Sequence, residues 1–214
     1  MQTRPWSRRA SVTAVSAAAL LAMAAPADAT TSTSATTAAT AVTAAPTAAA
    51  GVDYAAWQKD CQAVMDQALP YLKQRIAATK PGEKQAIVFD IDNTTLETDF
   101  GFSYPQPANK PVLEVARYAQ ERGVALFFVT ARPGIIYSFT EYNLKQAGYR
   151  VSGLYVRNFI DLFKNVAEYK TAQRVDVERK GYTIIANIGN SATDLSGGHA
   201  EKTYKLPDYD GQLS

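Results

Sequence analysis

The stretch Ala86-Ile87-Val88-Phe89-Asp90-Ile91-Asp92-Asn93-Thr94-Thr95 constrains the fold more than any other part of the chain. A run of β-branched and aromatic residues that stops at two carboxylates reads as a buried parallel strand with its polar end at the rim of a sheet. Side chains alternate along a strand, so Asp90 and Asp92 fall on one face, and where the chain turns both can converge on one cation or one proton. A hard divalent cation, which takes oxygen ligands, would offset their repulsion and leave Asp90 free to attack an electrophile. Asp and Asn are also common turn formers, so these residues alone fit an Asx-rich turn equally well.

The surrounding chain alternates strands with helices. Tyr54, Trp57, Cys61, Val64, Met65, Ala68, Leu69, Leu72 and Ile76 recur at helical steps, which predicts an N-terminal amphipathic helix or helix pair with Pro70 as a kink or joint. Turn chemistry at residues 79–83 leads into the carboxylate strand. A polar, aromatic, proline-interrupted loop at 96–110 follows, long enough for a lid or substrate wall and too short for a cap domain. Pro111 opens a helix to about Glu121, and Gly123 ends it. A strand over 124–129 ends at Thr130-Ala131-Arg132; a helix spans about 133–146. A third strand covers 151–156, helical sequence 160–180, a fourth strand 182–188 ending at Gly189-Asn190-Ser191, and a short fifth strand lies near 203–206. This order implies an α/β, Rossmann-like parallel sheet of about five strands flanked by helices, with right-handed crossovers and no large cap domain. Ligands bind such sheets outside the carboxyl ends of the strands. Three strands end there in polar clusters, Asp90/Asp92, Thr130/Arg132 and Asn190/Asp194, and that convergence favours a site over a turn.

The 214 residues, 47% hydrophobic and 20% charged, suit one globular domain with appendages. The formal charge of +2 resides in the first 29 residues, where Arg4, Arg8 and Arg9 face one acid, Asp28. The remainder is balanced and has no basic footprint for nucleic acid. The three arginines precede an apolar, alanine-rich run over 12–25 and the small residues Ala27 and Ala29, which reads as a cleavable export signal over 1–29. The run is too short and alanine-rich for stable membrane insertion. Ser7-Arg8-Arg9 leaves the twin-arginine route open beside the general secretory one. Residues 30–51 are nearly all Ala, Thr, Ser and Pro and are expected to form a disordered tether before a domain over 52–214. Cys61 has no intramolecular disulfide partner and reads as a small buried hydrophobe.

From residue 52 onward the chain resembles the haloacid dehalogenase superfamily of phosphohydrolases, in its secreted acid phosphatase branch of plant vegetative-storage and bacterial class B type. Four ordered motifs carry the resemblance: Asp90-Ile91-Asp92-Asn93-Thr94, Thr130 at a strand end, a helical lysine best placed at Lys170, and Gly189-Asn190-Ser191-Ala192-Thr193-Asp194. Lys205-Leu206-Pro207 adds to it. The resemblance implies that Asp90 is the nucleophile and Asp92 the general acid and base. It implies phosphate binding by Thr130, Ala131, Arg132 and Lys170, and Mg²⁺ held by Asp90, the Asp92 carbonyl, Asn190 and Asp194. The expected substrate is a small phosphomonoester. Asn190 stands where the family usually has a ligating aspartate, so the site holds one negative charge fewer; a weakened phosphate-binding or storage relative, or a phosphotransferase to alcohols, remain alternatives. Lys164 is the runner-up to Lys170. His199 reads as a loop residue, and Asp99 lies too far along its loop for a role to be assigned.

Overall fold

The computed structural model describes residues 51–213. The export signal expected over 1–29 and, apart from Gly51, the tether over 30–51 lie outside the described residues. Among the described residues no helix is long and apolar enough to cross a membrane.

Five strands, β1 (Lys84–Phe89), β2 (Ala125–Pro133), β3 (Val151–Arg157), β4 (Tyr182–Gly189) and β5 (Thr203–Lys205), form one sheet in the order β3-β2-β1-β4-β5. Every pairing is parallel. Parallel neighbours need crossover connections, and helices α2 (Lys110–Gln120), α3 (Tyr137–Ala147) and α4 (Val166–Arg179) supply them. The strand order reverses at β1, which places a ligand crevice between the carboxyl ends of β1 and its neighbours.

Alternation along β1 splits the core in two. Ile87 and Phe89 join the side chains of helix α1 (Tyr54–Ala77), α2 and α3, whereas Ala86 and Val88 pack with Tyr169 and Val177 of α4. These four side chains of β1 are all buried, as a strand covered on both faces requires. Trp57, Cys61, Met65, Ala68 and Leu72, spaced three or four apart, turn one stripe of α1 into this core. Fully burying side chains of the size of Met65 and Leu72 contributes roughly 1.5–3 kcal/mol each.

The structure refines several expectations. Pro70 does not divide the first helix: α1 is a single helix of 24 residues with Pro70 inside it. Asp53 caps its start by accepting from the Ala56 N–H at 2.7 Å. Strand β2 continues past Val129 to Pro133, so Thr130, Ala131 and Arg132 are strand residues, with a register break toward β3. The helical sequence expected over 160–180 divides into a short 3₁₀ turn, Asp161–Phe163, and α4, because Asn165 caps the new helix by accepting from the Ala167 and Glu168 N–H groups. A bridge between Leu96 and Ala108 closes the base of the 96–110 loop. Its Phe100 ring stacks on Trp57 at 4.3 Å.

Candidate active site

At the carboxyl ends of the strands a cleft of about 470 Å³ is lined by Asp90, Asp92, Ala131, Arg132, Lys170, Asn190 and Asp194, with loop residues between them. Asp90 follows the last residue of β1, and its N–H donates to the Ile188 carbonyl of β4 at 2.9 Å, so the adjacent strand fixes its backbone. Asp194 belongs to the one-turn helix α5 (Ala192–Leu195) directly after β4. One of its carboxylate oxygens accepts from the Ser191 N–H at 2.7 Å in a capping box. Gly189 leaves the room this requires: a Cβ there would lie 2.4 Å from that of Asp194.

Lys170, from α4, joins the two acids. Its Nζ donates to Asp90 Oδ1 at 2.6 Å and to Asp194 Oδ1 at 2.5 Å, with all three side chains buried. Burial by itself would lower the Lys170 pKa, yet Asp90 and Asp194 outweigh it and hold the ammonium above its ordinary value. Burial lifts the Asp90 carboxyl well above the usual range; Lys170 opposes this, and the negative charges of Asp194 and Asp92 add to it. Lys164, the alternative lysine, is bound instead to Asp161 at 2.7 Å and is half-exposed.

Asp92 is held separately. Arg132 grips it in a fork, Nη2 to Oδ1 at 2.7 Å and Nε to both oxygens at 3.1 Å, and Thr98 donates to Oδ1 at 2.8 Å. The same Nη2 also donates to Gln106 Oε1 at 3.0 Å. Thr130 is fully buried beneath the cleft, its hydroxyl oxygen accepting the Arg132 N–H at 3.1 Å, while Ala131 faces the cleft.

Asn93 adopts a left-handed backbone with φ of 51°, a conformation that asparagine tolerates better than most residues. Asp99 supports it, accepting from Asn93 Nδ2 at 2.7 Å and donating its own N–H to Asn93 Oδ1 at 3.0 Å. Asn190 Oδ1 accepts from the Thr94 hydroxyl at 3.3 Å. The fully buried Arg174 donates to the carbonyls of Asp194 at 2.8 Å and Gly198 at 2.9 Å, bracing the loop behind Asp194. His199 pairs with Glu178 at 2.7 Å, outside the cleft.

Of the eight residues expected from the sequence to catalyse, bind substrate or hold a metal, seven thus line one cleft, and Thr130 alone does not. Sequence reasoning missed Thr98, Gln106 and Arg174, and left Asp99 without a role. The Thr98 and Asp99 contacts return six residues to Asp92 and Asn93, a spacing that a turn at the strand end could have suggested.

Asp90, Asp92 and Asp194 place three carboxylates against the two cations Lys170 and Arg132. That excess of negative charge, together with the hard amide oxygen of Asn190, fits an oxygen-preferring divalent cation. No group of three or more His, Cys, Asp or Glu side chains suited to a metal occurs among the described residues, so such an ion would need Asn190 or a main-chain carbonyl to complete its shell.

The chain is similar to two stem glycoproteins of Glycine max. The 28 kDa protein is 34% identical over 119 residues, 54% of this chain and 47% of that protein. The 31 kDa protein is 34% identical over the same length, 54% of this chain and 41% of that protein. The chain spans about half the length, or less, of these curated relatives. Among solved structures, the class C acid phosphatase from Bacillus anthracis shares the fold at a TM-score of 0.58 and 16% identity, over 73% of this chain and 80% of that one. The family described as HAD superfamily, subfamily IIIB (Acid phosphatase), matches residues 8–212. With that match spanning nearly its whole length, the chain belongs to the subfamily IIIB acid phosphatases of the HAD superfamily.

Proposed function

We propose that this chain is a secreted, Mg²⁺-dependent acid phosphatase that hydrolyses small phosphomonoesters through an aspartyl-phosphate. The observation that carries the reading is the buried Asp90–Lys170–Asp194 cluster at the strand ends, 2.6 and 2.5 Å across its two ion pairs. Buried charge of this kind is costly, and functional sites are where it concentrates.

In this reading an Asp90 oxygen attacks phosphorus as the ester P–O bond breaks, and the leaving alkoxide takes a proton from the Asp92 carboxyl. Asp92, now ionised, removes a proton from the water that attacks the phospho-enzyme, and Asp90 and inorganic phosphate are released. Arg132, through its fork, holds Asp92 at the angle both proton transfers need. Lys170 offsets the charge of the phosphoryl oxygens as a point cation, and Thr130 with the Ala131 and Arg132 main chain shapes the phosphate pocket. Asp90, the Asp92 carbonyl, Asn190 and Asp194 would hold Mg²⁺. When bound, the ion neutralises charge between the attacking carboxylate and the phosphate.

The domain organisation forms part of the proposal: an export signal over 1–29, a tether over 30–51 and the phosphatase domain over 52–214. Secretion is supported by the arginine-led apolar run at the N-terminus and by relatives that are themselves named glycoproteins. Those relatives, together with Asn190, also favour a second reading as a storage-type protein with weakened turnover. Hydrolysis of an aryl phosphate by the purified chain, with Mg²⁺ or a chelator, separates the two. The phosphatase reading expects Mg²⁺-dependent turnover that falls by about a thousandfold or more in Asp90→Asn, since removing the covalent nucleophile removes the reaction path. Folded protein without turnover at any Mg²⁺ level would leave the storage reading standing.

A further inference from the structure

Asn190 is buried and has two partners on opposite sides. Its Nδ2 donates to the Leu213 carbonyl, and its Oδ1 accepts from Thr94. A carbonyl can only accept, so the amide nitrogen must face Leu213 and the amide oxygen must face Thr94 and the cleft. The hydrogen bond therefore fixes which end of the amide points where. An aspartate at this position would set a carboxylate against a main-chain carbonyl with no proton between them, in a place closed to water.

The segment that supplies this carbonyl is itself tied down. The Leu206 N–H donates to the Gly189 carbonyl at 2.9 Å, beside the strand end that leads to Asn190. The Tyr209 hydroxyl donates to Asp60 of α1 at 2.7 Å. The Leu213 N–H donates to the Asp208 carbonyl at 3.1 Å, and the Leu213 side chain is fully buried in the core shared by α1 and β4.

We propose that the 206–213 segment is a positioning element of the active site, its Leu213 carbonyl orienting Asn190 so that a neutral oxygen faces the cation. Asn190 is then a required amide in this chain and not a decayed aspartate. The identity of the ion rests on the phosphatase reading above; the hydrogen bond does not.

Two measurements test it. The first is thermal unfolding without metal at neutral pH. Asn190→Asp, which keeps the side chain's volume but loses its donor, is expected to melt several degrees below Asn190→Ala. A side chain that only filled space would give the opposite order, and that order would overturn the proposal. The second is calorimetric titration with Mg²⁺. Leu213→Ala, which loosens the carbonyl's anchor, is expected to bind Mg²⁺ about tenfold more weakly than the parent, and Tyr209→Phe about threefold more weakly. Unchanged affinity in both variants would overturn the positioning role. A parent chain that neither binds Mg²⁺ nor turns over substrate would count against the phosphatase reading and against the cation's part in this proposal, while the order of melting temperatures would still decide the hydrogen bond.

Discussion

The two ends of the sheet carry clefts of almost equal size and opposite character. At the amino ends of the strands a cleft of about 490 Å³ is lined by Glu83, Lys84, Arg122, Arg150, Ser152 and Tyr182 among others. At the carboxyl ends the cleft of about 470 Å³ holds Asp90, Lys170 and Asp194. Volume does not tell the two apart. The ionic cluster at the amino end, Arg75 with Glu83 and Glu201, is partly exposed, and Arg75 binds both acids. The cluster at the carboxyl end is buried, and Asp90 and Asp194 share one lysine. A partly exposed network keeps some of its hydration and contributes modestly, whereas a fully buried one with a charge deficit is tolerated where a ligand can complete it.

The sharpest way to break this contrast is to remove one cation from each cleft. Lys170→Met should lower kcat/KM by about a hundredfold or more and destabilise the fold by roughly 3 kcal/mol, since it leaves two buried carboxylates facing each other. Arg150→Ala, in the opposite cleft, should leave kcat/KM within about twofold; a comparable loss there, read by steady-state kinetics and urea unfolding, would erase the distinction. A smaller effect is expected at Arg132→Lys, about tenfold in kcat with little change in stability, because a lysine replaces the fork on Asp92 with a single donor. A pH–rate profile of that variant that coincides with the parent's in height and shape would mean Arg132 does not orient Asp92.

The smallest effect is a stability difference at low pH. Arg75 and the Lys80 N–H pull the Glu83 carboxyl down from 4.5 to about 2. A depressed folded-state value stabilises the fold fully above the unfolded value, so the contribution is complete above about pH 4.5 and disappears as pH falls toward 2. Arg75→Ala should therefore lose less of its melting temperature between pH 6 and pH 3 than the parent does. Parallel losses in the two proteins would show that the network is energetically silent.

Much of this was legible in the sequence, for identifiable reasons. Strand positions and the placement of Asp90, Lys170 and Asp194 follow from periodicity and motif order, since a parallel sheet admits few topologies and gathers its strand ends along one rim. Lys170 was separable from Lys164 only by that order, and the structure brings it to Asp90 across 80 residues. What stayed hidden depends on side-chain geometry. The fork of Arg132 on Asp92 spans 40 residues, and Arg174 reaches the loop 20 and more residues ahead through main-chain carbonyls that every sequence possesses. Pro70 was read as a kink or a joint because proline usually breaks a helix; the core stripe from Trp57 to Leu72 holds α1 together through it, which excludes the joint.

The central position of β1 has a kinetic consequence. Its partners enter the sheet from about 40 residues away, at β2, and about 100 away, at β4. The chain must therefore close the longest loop of its strand pairings before Asp90, which follows β1, can meet Asp194, which follows β4, and no partly folded chain without β4 can bring Asp90, Lys170 and Asp194 together. On the proposed phosphatase reading, recovery of activity during refolding would thus report completion of the sheet itself, and intermediates that retain helices but lack the β1–β4 pairing would be inert.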